Sequence, residues 1–142
     1  MKPAKLSIIT LAALILTASP ALACSCRGKV TADSLLKYSA AVFTGVVYKV
    51  RPASSGQSLT TFGIVEAFKG PPAGATIRVL HRSGSTASCG VRFQPGRTYT
   101  LSVNMRPGMA EYTTSHCSTW MFNPNVGLRD RLIEGMRAMK RR

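Results

Sequence analysis

The chain has 142 residues, with 19 Lys+Arg against 5 Asp+Glu and a formal net charge of +14. That length suits one domain with a single core. The charge favours anionic partners and leaves few carboxylates for acid–base chemistry.

In chain order, residues 1–23 read as a secretory signal. Lys2 and Lys5 give a positive start, "LSIITLAALILTA" an apolar run too short for a membrane span, and Pro20 a helix break. Ala21-Leu22-Ala23 forms an A-x-A cleavage site, so the mature chain, residues 24–142, is expected to begin at Cys24. Removing the leader takes away only two lysines, so the mature protein stays strongly basic. No later apolar run is long enough for a transmembrane segment. The expected location is secreted or periplasmic. An outer-membrane lipoprotein acylated on Cys24 is the alternative, although Ala21 stands where lipoprotein signals carry a larger apolar residue.

The next segments predict a mostly β protein. Thr31 can cap a short helix through "SLLKYSA", with Asp33 in its first turn. "AVFTGVVYKVR" (41–51) predicts a long strand bent at Gly45. A polar hairpin-like loop spans 52–58, and a second strand spans 59–70, stopped by Gly70-Pro71-Pro72. "ATIRVLHR" (75–82) alternates Ile77, Val79 and His81 against Arg78, Leu80 and Arg82. A fourth strand is expected over 97–105 and a fifth over 109–116. Leu128, Leu132, Ile133, Met136 and Met139 recur at helical spacing, predicting a basic C-terminal helix over 127–142, capped by Asn123 or Asn125. Five strands with flanking helices suggest a five-stranded OB-type Greek-key barrel, with a sandwich as runner-up.

Four cysteines remain after export: Cys24, Cys26, Cys89 and Cys117. In an oxidising compartment an even count implies disulfides before metal. A Cys24–Cys26 bond would close a strained ring, which leaves two pairings, each tying both N-terminal cysteines to distant partners.

Other chemistries fit less well. No G-x-S-x-G elbow is present, and two aspartates and two histidines are sparse material for a triad, so no enzyme is expected. Zinc on Cys24, Cys26, His81 and His116 lacks the usual ligand spacing, and no C-x-x-C redox pair exists. No metal or other cofactor is expected. Tyr48, Phe62, Phe68, Tyr99 and Tyr112 are of the type that stacks on bases in an OB groove, but at alternating strand positions they read as core. Export also makes nucleic acid an unexpected ligand.

The C-x-C start, the strand "AVFTGVV", the strand ending "AFKG", the mid-chain "SCG" and the late "SHCS" resemble the tissue-inhibitor-of-metalloproteinase (TIMP) family, in particular its bacterial netrin-like members. The resemblance covers nearly all of residues 24–122. It implies an OB-type domain with disulfides Cys24–Cys89 and Cys26–Cys117. It further implies a metalloprotease inhibitor in which the α-amine and carbonyl oxygen of Cys24 chelate the zinc of a partner protease. An α-amine has an ordinary pKa of about 7.7–8.0, low enough to yield its proton to a metal near neutral pH. By position, Ser25 would enter the specificity pocket, and Cys26, Arg27, Ser88 and Cys89 would form the inhibitory ridge. The family's third disulfide in this domain has no counterpart here, and Arg27-Gly28 replaces its usual apolar or proline-containing residues. The other reading is a non-catalytic basic module for anionic polysaccharide or cell-envelope partners.

Overall fold

A computed structural model describes Cys26 and residues 29–85, 88–118 and 126–142. The proposed leader, Cys24, Ser25, Arg27 and both candidate caps Asn123 and Asn125 lie outside the described residues.

Helix α1 spans Ala32–Tyr38. It starts at Thr31, whose hydroxyl accepts from the Ser34 amide at 3.1 Å, while the Ser34 hydroxyl accepts from the Thr31 amide at 3.0 Å. This reciprocal box satisfies two donors that a helix start would leave open. Strands β1 (Ala41–Pro52), β2 (Gln57–Lys69), β3 (Thr76–Arg82), β4 (Thr98–Met105) and β5 (Tyr112–Thr113) follow, then a 3-10 turn at His116–Ser118 and helix α2 (Val126–Lys140).

The strands close in the order β1-β2-β3-β5-β4, with β4 returning to β1. All pairings are antiparallel except β3 with β5, where Val79 and Leu80 face Tyr112 and Thr113 in parallel. This is the expected OB-type barrel. Long β1 takes part in two ladders and changes register at Val42/Phe43, Thr44/Gly45 and Val47/Lys49. The middle irregularity falls at Gly45, where the sequence predicts the bend. Such bulges let one strand curl around a small barrel.

Two elements differ from the sequence expectation. The 52–58 loop contracts to a tight turn, because Ser55 and Gly56 adopt φ of 46° and 73° and Ala53 donates to the Gln57 carbonyl at 2.9 Å. The expected fifth strand over 109–116 is only two residues long. A turn closed by the Met109 amide on the Arg106 carbonyl takes its start, and the 3-10 turn takes its end.

The barrel interior is a close-packed aromatic and aliphatic core. Phe43, Phe62, Phe93 and Tyr99 meet edge to face in sequence, at 5.7, 5.0 and 5.0 Å between ring centroids. This geometry sets positive ring edges on negative ring faces. Tyr48 departs from the expected core set. It is 64% exposed and lies across Gly63 on the outer face, covering backbone that has no side chain of its own.

A second core lies outside the barrel. Val42 on β1 packs with Leu35 of α1 and Leu132 and Met136 of α2. The helical spacing of Leu132 and Met136 puts both on the face that meets Val42. Gly135 lets the helices approach, since a Cβ there would sit 3.0 Å from the Ala32 Cβ. The Lys69 ammonium donates to the Leu36 carbonyl at 2.7 Å, satisfying an end group of α1, and the Lys140 ammonium donates to the Ala67 carbonyl at 2.7 Å. No helix among the described residues is long and apolar enough to cross a membrane.

Candidate functional site

Two features stand out at the barrel surface: a disulfide staple near the expected start of the mature chain, and a cleft beyond the end of β3.

Cys26 is bonded to Cys117, with 5.4 Å between their Cα atoms and a sequence separation of 91. Cys117 occupies the 3-10 turn, which is itself fixed to β4 by side chain and backbone. The Ser102 hydroxyl donates to the Ser118 carbonyl at 3.4 Å, and the Thr114 hydroxyl donates to the Ser102 carbonyl at 3.0 Å. The segment bearing Cys26 is therefore tied to the barrel wall through β4.

The other expected ridge residues sit on the loop after β3. Cys89 is exposed, adopts φ of 56°, and is disulfide-bonded. Its expected pairing with Cys24 involves a residue outside the described set. Ser88 is exposed and turned back on its own loop, its hydroxyl donating to the Ser85 carbonyl at 2.9 Å. The amides of Ser88 and Gly90 converge on the same carbonyl at 3.1 and 3.0 Å. Gly90 presses against Gly84 so closely that a Cβ would lie 2.7–2.8 Å from the Gly84 backbone. These contacts draw the described residues 84, 85 and 88–90 into a compact knot, with Cys89 at the surface.

Directly beside this knot is a cleft of about 410 Å³, lined among others by Val50, Ser58, Ser83, Val91, Arg92 and Phe93. Strand register explains how residues far apart in sequence meet there. Ser58 pairs with His81 across β2 and β3, and the Ser83 amide donates to the Gly56 carbonyl at 2.8 Å. The hydroxyls of Ser58 and Ser83 consequently share a 2.6 Å hydrogen bond. The Val91 amide then returns to the Arg82 carbonyl at 2.9 Å, which turns Phe93 into the barrel.

His81 forms part of the cleft wall and is 3% exposed. Its Nε2 lies 2.8 Å from the Thr60 hydroxyl and its Nδ1 3.3 Å from the Arg82 carbonyl. A carbonyl only accepts, so Nδ1 carries the proton, and the Thr60 hydroxyl donates to Nε2. The ring meets Phe93 edge to face at 4.8 Å. Burial lowers the pKa of His81 below its usual value, the backbone bonds opposing that in part, so the ring is neutral at pH 7.

The zinc set considered from sequence does not assemble in this form. Cys26 is consumed by its disulfide, and both ring nitrogens of His81 are engaged within the barrel. Among the described residues, no three His, Cys, Asp or Glu side chains are grouped to hold a metal ion.

A second groove, of about 540 Å³, runs under α2 and includes Thr44, Glu66, Thr100, Ile133, Glu134 and Arg137. It is bridged by the Arg137 guanidinium on both Glu66 oxygens and floored by the Thr44–Thr100 hydroxyl pair at 2.8 Å.

Sequence pattern had placed His81 on the inward face of its strand, through alternation with Ile77 and Val79. It carried no signal for Thr60 as the partner or for the Ser58–Ser83 pair, since both depend on β2–β3 register. No family model matches the chain, and a search of curated proteins finds no similar sequence.

Proposed function

We propose that the protein is a non-catalytic inhibitor of zinc metalloproteases, acting through the first residue of its mature chain. In this reading the α-amine and carbonyl oxygen of Cys24 occupy the open coordination position of the protease zinc and displace its attacking water. Ser25 enters the adjoining specificity pocket, and Cys26, Arg27, Ser88 and Cys89 frame the contact.

The observation that carries the proposal is the staple. Cys26, two residues from the expected mature start, is bonded to Cys117 on a turn fixed to β4. A chelating end held by a rigid barrel loses little conformational freedom on binding, and that is what an inhibitor of this type requires. The resemblance in cysteine placement supplies the mechanism.

The test uses protein purified after export, with intact mass reporting both the start at Cys24 and any acylation. Against a panel of secreted zinc endopeptidases, the protein with a free Cys24 amine should inhibit, and one extended by a single alanine should not. Equal potency of the two forms, or no inhibition by the free-amine form, overturns the proposal. An acylated Cys24 would instead favour the lipoprotein alternative.

A second reading, a basic module for anionic polysaccharide or envelope surfaces, is favoured by uncompensated charge. Among the described residues only Arg78, Arg129 and Arg137 form ion pairs with carboxylates. Retention on heparin resin that survives acetylation of Cys24 and disappears at high salt would support it.

A further inference from the structure

We propose that the cleft beside the Cys89 loop is a binding site for a small amphipathic carboxylate, an apolar group of a few carbons carrying one negative charge. The proposal is independent of the inhibitor reading, since it needs neither Cys24 nor its amine.

The lining is divided by chemistry. Val50, Val91 and Phe93 give an apolar wall, and Ser58, Ser83 and Arg92 give a polar one. At about 410 Å³ the cleft falls within the range of small-molecule sites. The Ser58–Ser83 pair has two hydroxyl protons and uses one in its mutual bond. Whichever serine donates, one O–H is left to point at an acceptor. An acceptor that also pairs with a guanidinium is best met by a carboxylate, whose two oxygens match the planar donor fork of arginine.

Charge distribution decides the sign of the ligand. All five acidic residues are described, and none lines this cleft. Glu66, Asp130 and Glu134 line the groove under α2, Glu111 pairs with Arg78, and Asp33 sits in the first turn of α1. At the cleft, Arg92 is exposed and lines the wall. Arg82 and Arg51 adjoin the cleft residues His81 and Val50 in sequence, and strand alternation turns them to the other face of the sheet. Arg92 joins no ion pair among the described residues. Neutral His81 adds no charge but closes the wall, with both nitrogens bonded within the protein. An anion is therefore met at the cleft wall by the Arg92 guanidinium, with no lining carboxylate to compete.

The probe is 3-phenylpropionate, with the uncharged 3-phenyl-1-propanol as comparison, titrated into isotopically labelled protein and followed by amide chemical shifts. The carboxylate should bind saturably, with shifts centred on Ser83, Gly84 and Val91. The alcohol should bind about tenfold more weakly, the loss expected for one charge-assisted contact. Arg92→Gln should weaken carboxylate binding about tenfold and leave the thermal transition in place, because the side chain is exposed. Arg131→Gln, an exposed change on α2, should leave the affinity unchanged. Equal affinity for acid and alcohol, shifts centred on the groove under α2, or equal losses in the two arginine variants each overturn the assignment. The last outcome would show that net charge alone attracts the probe.

Discussion

Arg137 on α2 donates from Nε and Nη2 to the two carboxylate oxygens of Glu66 on β2, at 2.8 and 2.7 Å, joining residues 71 positions apart. The pair clasps the C-terminal helix to the barrel beside the second core. Its hydrogen bonds with Arg137 hold the Glu66 carboxyl below its ordinary value of 4.5, despite some opposing desolvation. The direction of the pH effect follows. A carboxyl with a depressed pKa in the folded state stabilises fully above 4.5 and loses that contribution as pH falls through the lower folded value. Both side chains are substantially exposed, so solvent screens the pair and the effect is small. Glu66→Gln should lower the melting temperature slightly at pH 7 and not at all at pH 2. Amide exchange should quicken in α2 and remain unchanged in the barrel strands.

The Thr60–His81 pair should give a larger pH response. The folded state keeps His81 neutral, while the unfolded chain protonates it below about pH 6.5. Stability from this site is full above that value and declines as pH falls towards the depressed folded pKa. Thr60→Val removes the donor to Nε2 and leaves a buried acceptor unpaired, at a cost of about 1–3 kcal/mol. Urea denaturation at pH 8 and pH 5 should show this cost, and His81→Phe should flatten the pH dependence between those points.

Severing Cys26–Cys117 should act mainly through the unfolded state. The bond closes a loop over a sequence separation of 91, for which chain entropy gives about 4–5 kcal/mol as an upper figure. Cys26→Ser with Cys117→Ser should lower the denaturation midpoint sharply, while far-ultraviolet circular dichroism of the folded form stays the same. A retained midpoint would mean that the barrel core alone fixes the 116–118 turn.

Two glycines should respond differently to alanine. At Gly90 the new Cβ would meet immovable Gly84 backbone, so Gly90→Ala should cost about 1–3 kcal/mol and loosen the loop bearing Cys89. At Gly56 nothing lies within 4 Å, and the cost is confined to φ of 73°, about 1–2 kcal/mol. Proteolysis within residues 83–90 should rise for the first variant and not for the second.

Aromatic truncations should separate core from surface. Phe93 touches Phe62, Tyr99 and His81, so Phe93→Ala should cost about 3–5 kcal/mol. Tyr48→Ala removes only a cover over Gly63 and should cost under about 1 kcal/mol. Equilibrium unfolding of the two variants provides the check.

Much of this architecture is present in sequence pattern alone. Alternation in Ile77, Val79 and His81 assigns inward positions because successive strand residues face opposite sides. The spacing of Leu132 and Met136 does the same for α2, and Thr31 marks the start of α1 because a hydroxyl there satisfies open amides. These signals are local, so they can be read without knowing the neighbours. Val50 shows where the pattern fails: alternation from inward Val47 would turn it outward, but the register shift between Val47 and Lys49 leaves it packed against the barrel core, and that shift depends on β2 as well as β1. Thr60 meets His81, and Ser58 meets Ser83, only because β2 and β3 pair in one particular register. Glu66 meets Arg137 only because Val42 faces away from the barrel and gives α2 a place to pack. Composition determined that the chain would be a basic, disulfide-bearing β protein. Tertiary structure alone brought Glu66 of β2 together with Asp130 and Glu134 under α2 and left the cleft beside Cys89 lined by Arg92 with no acid, because charge placement follows from how strands close and not from their order.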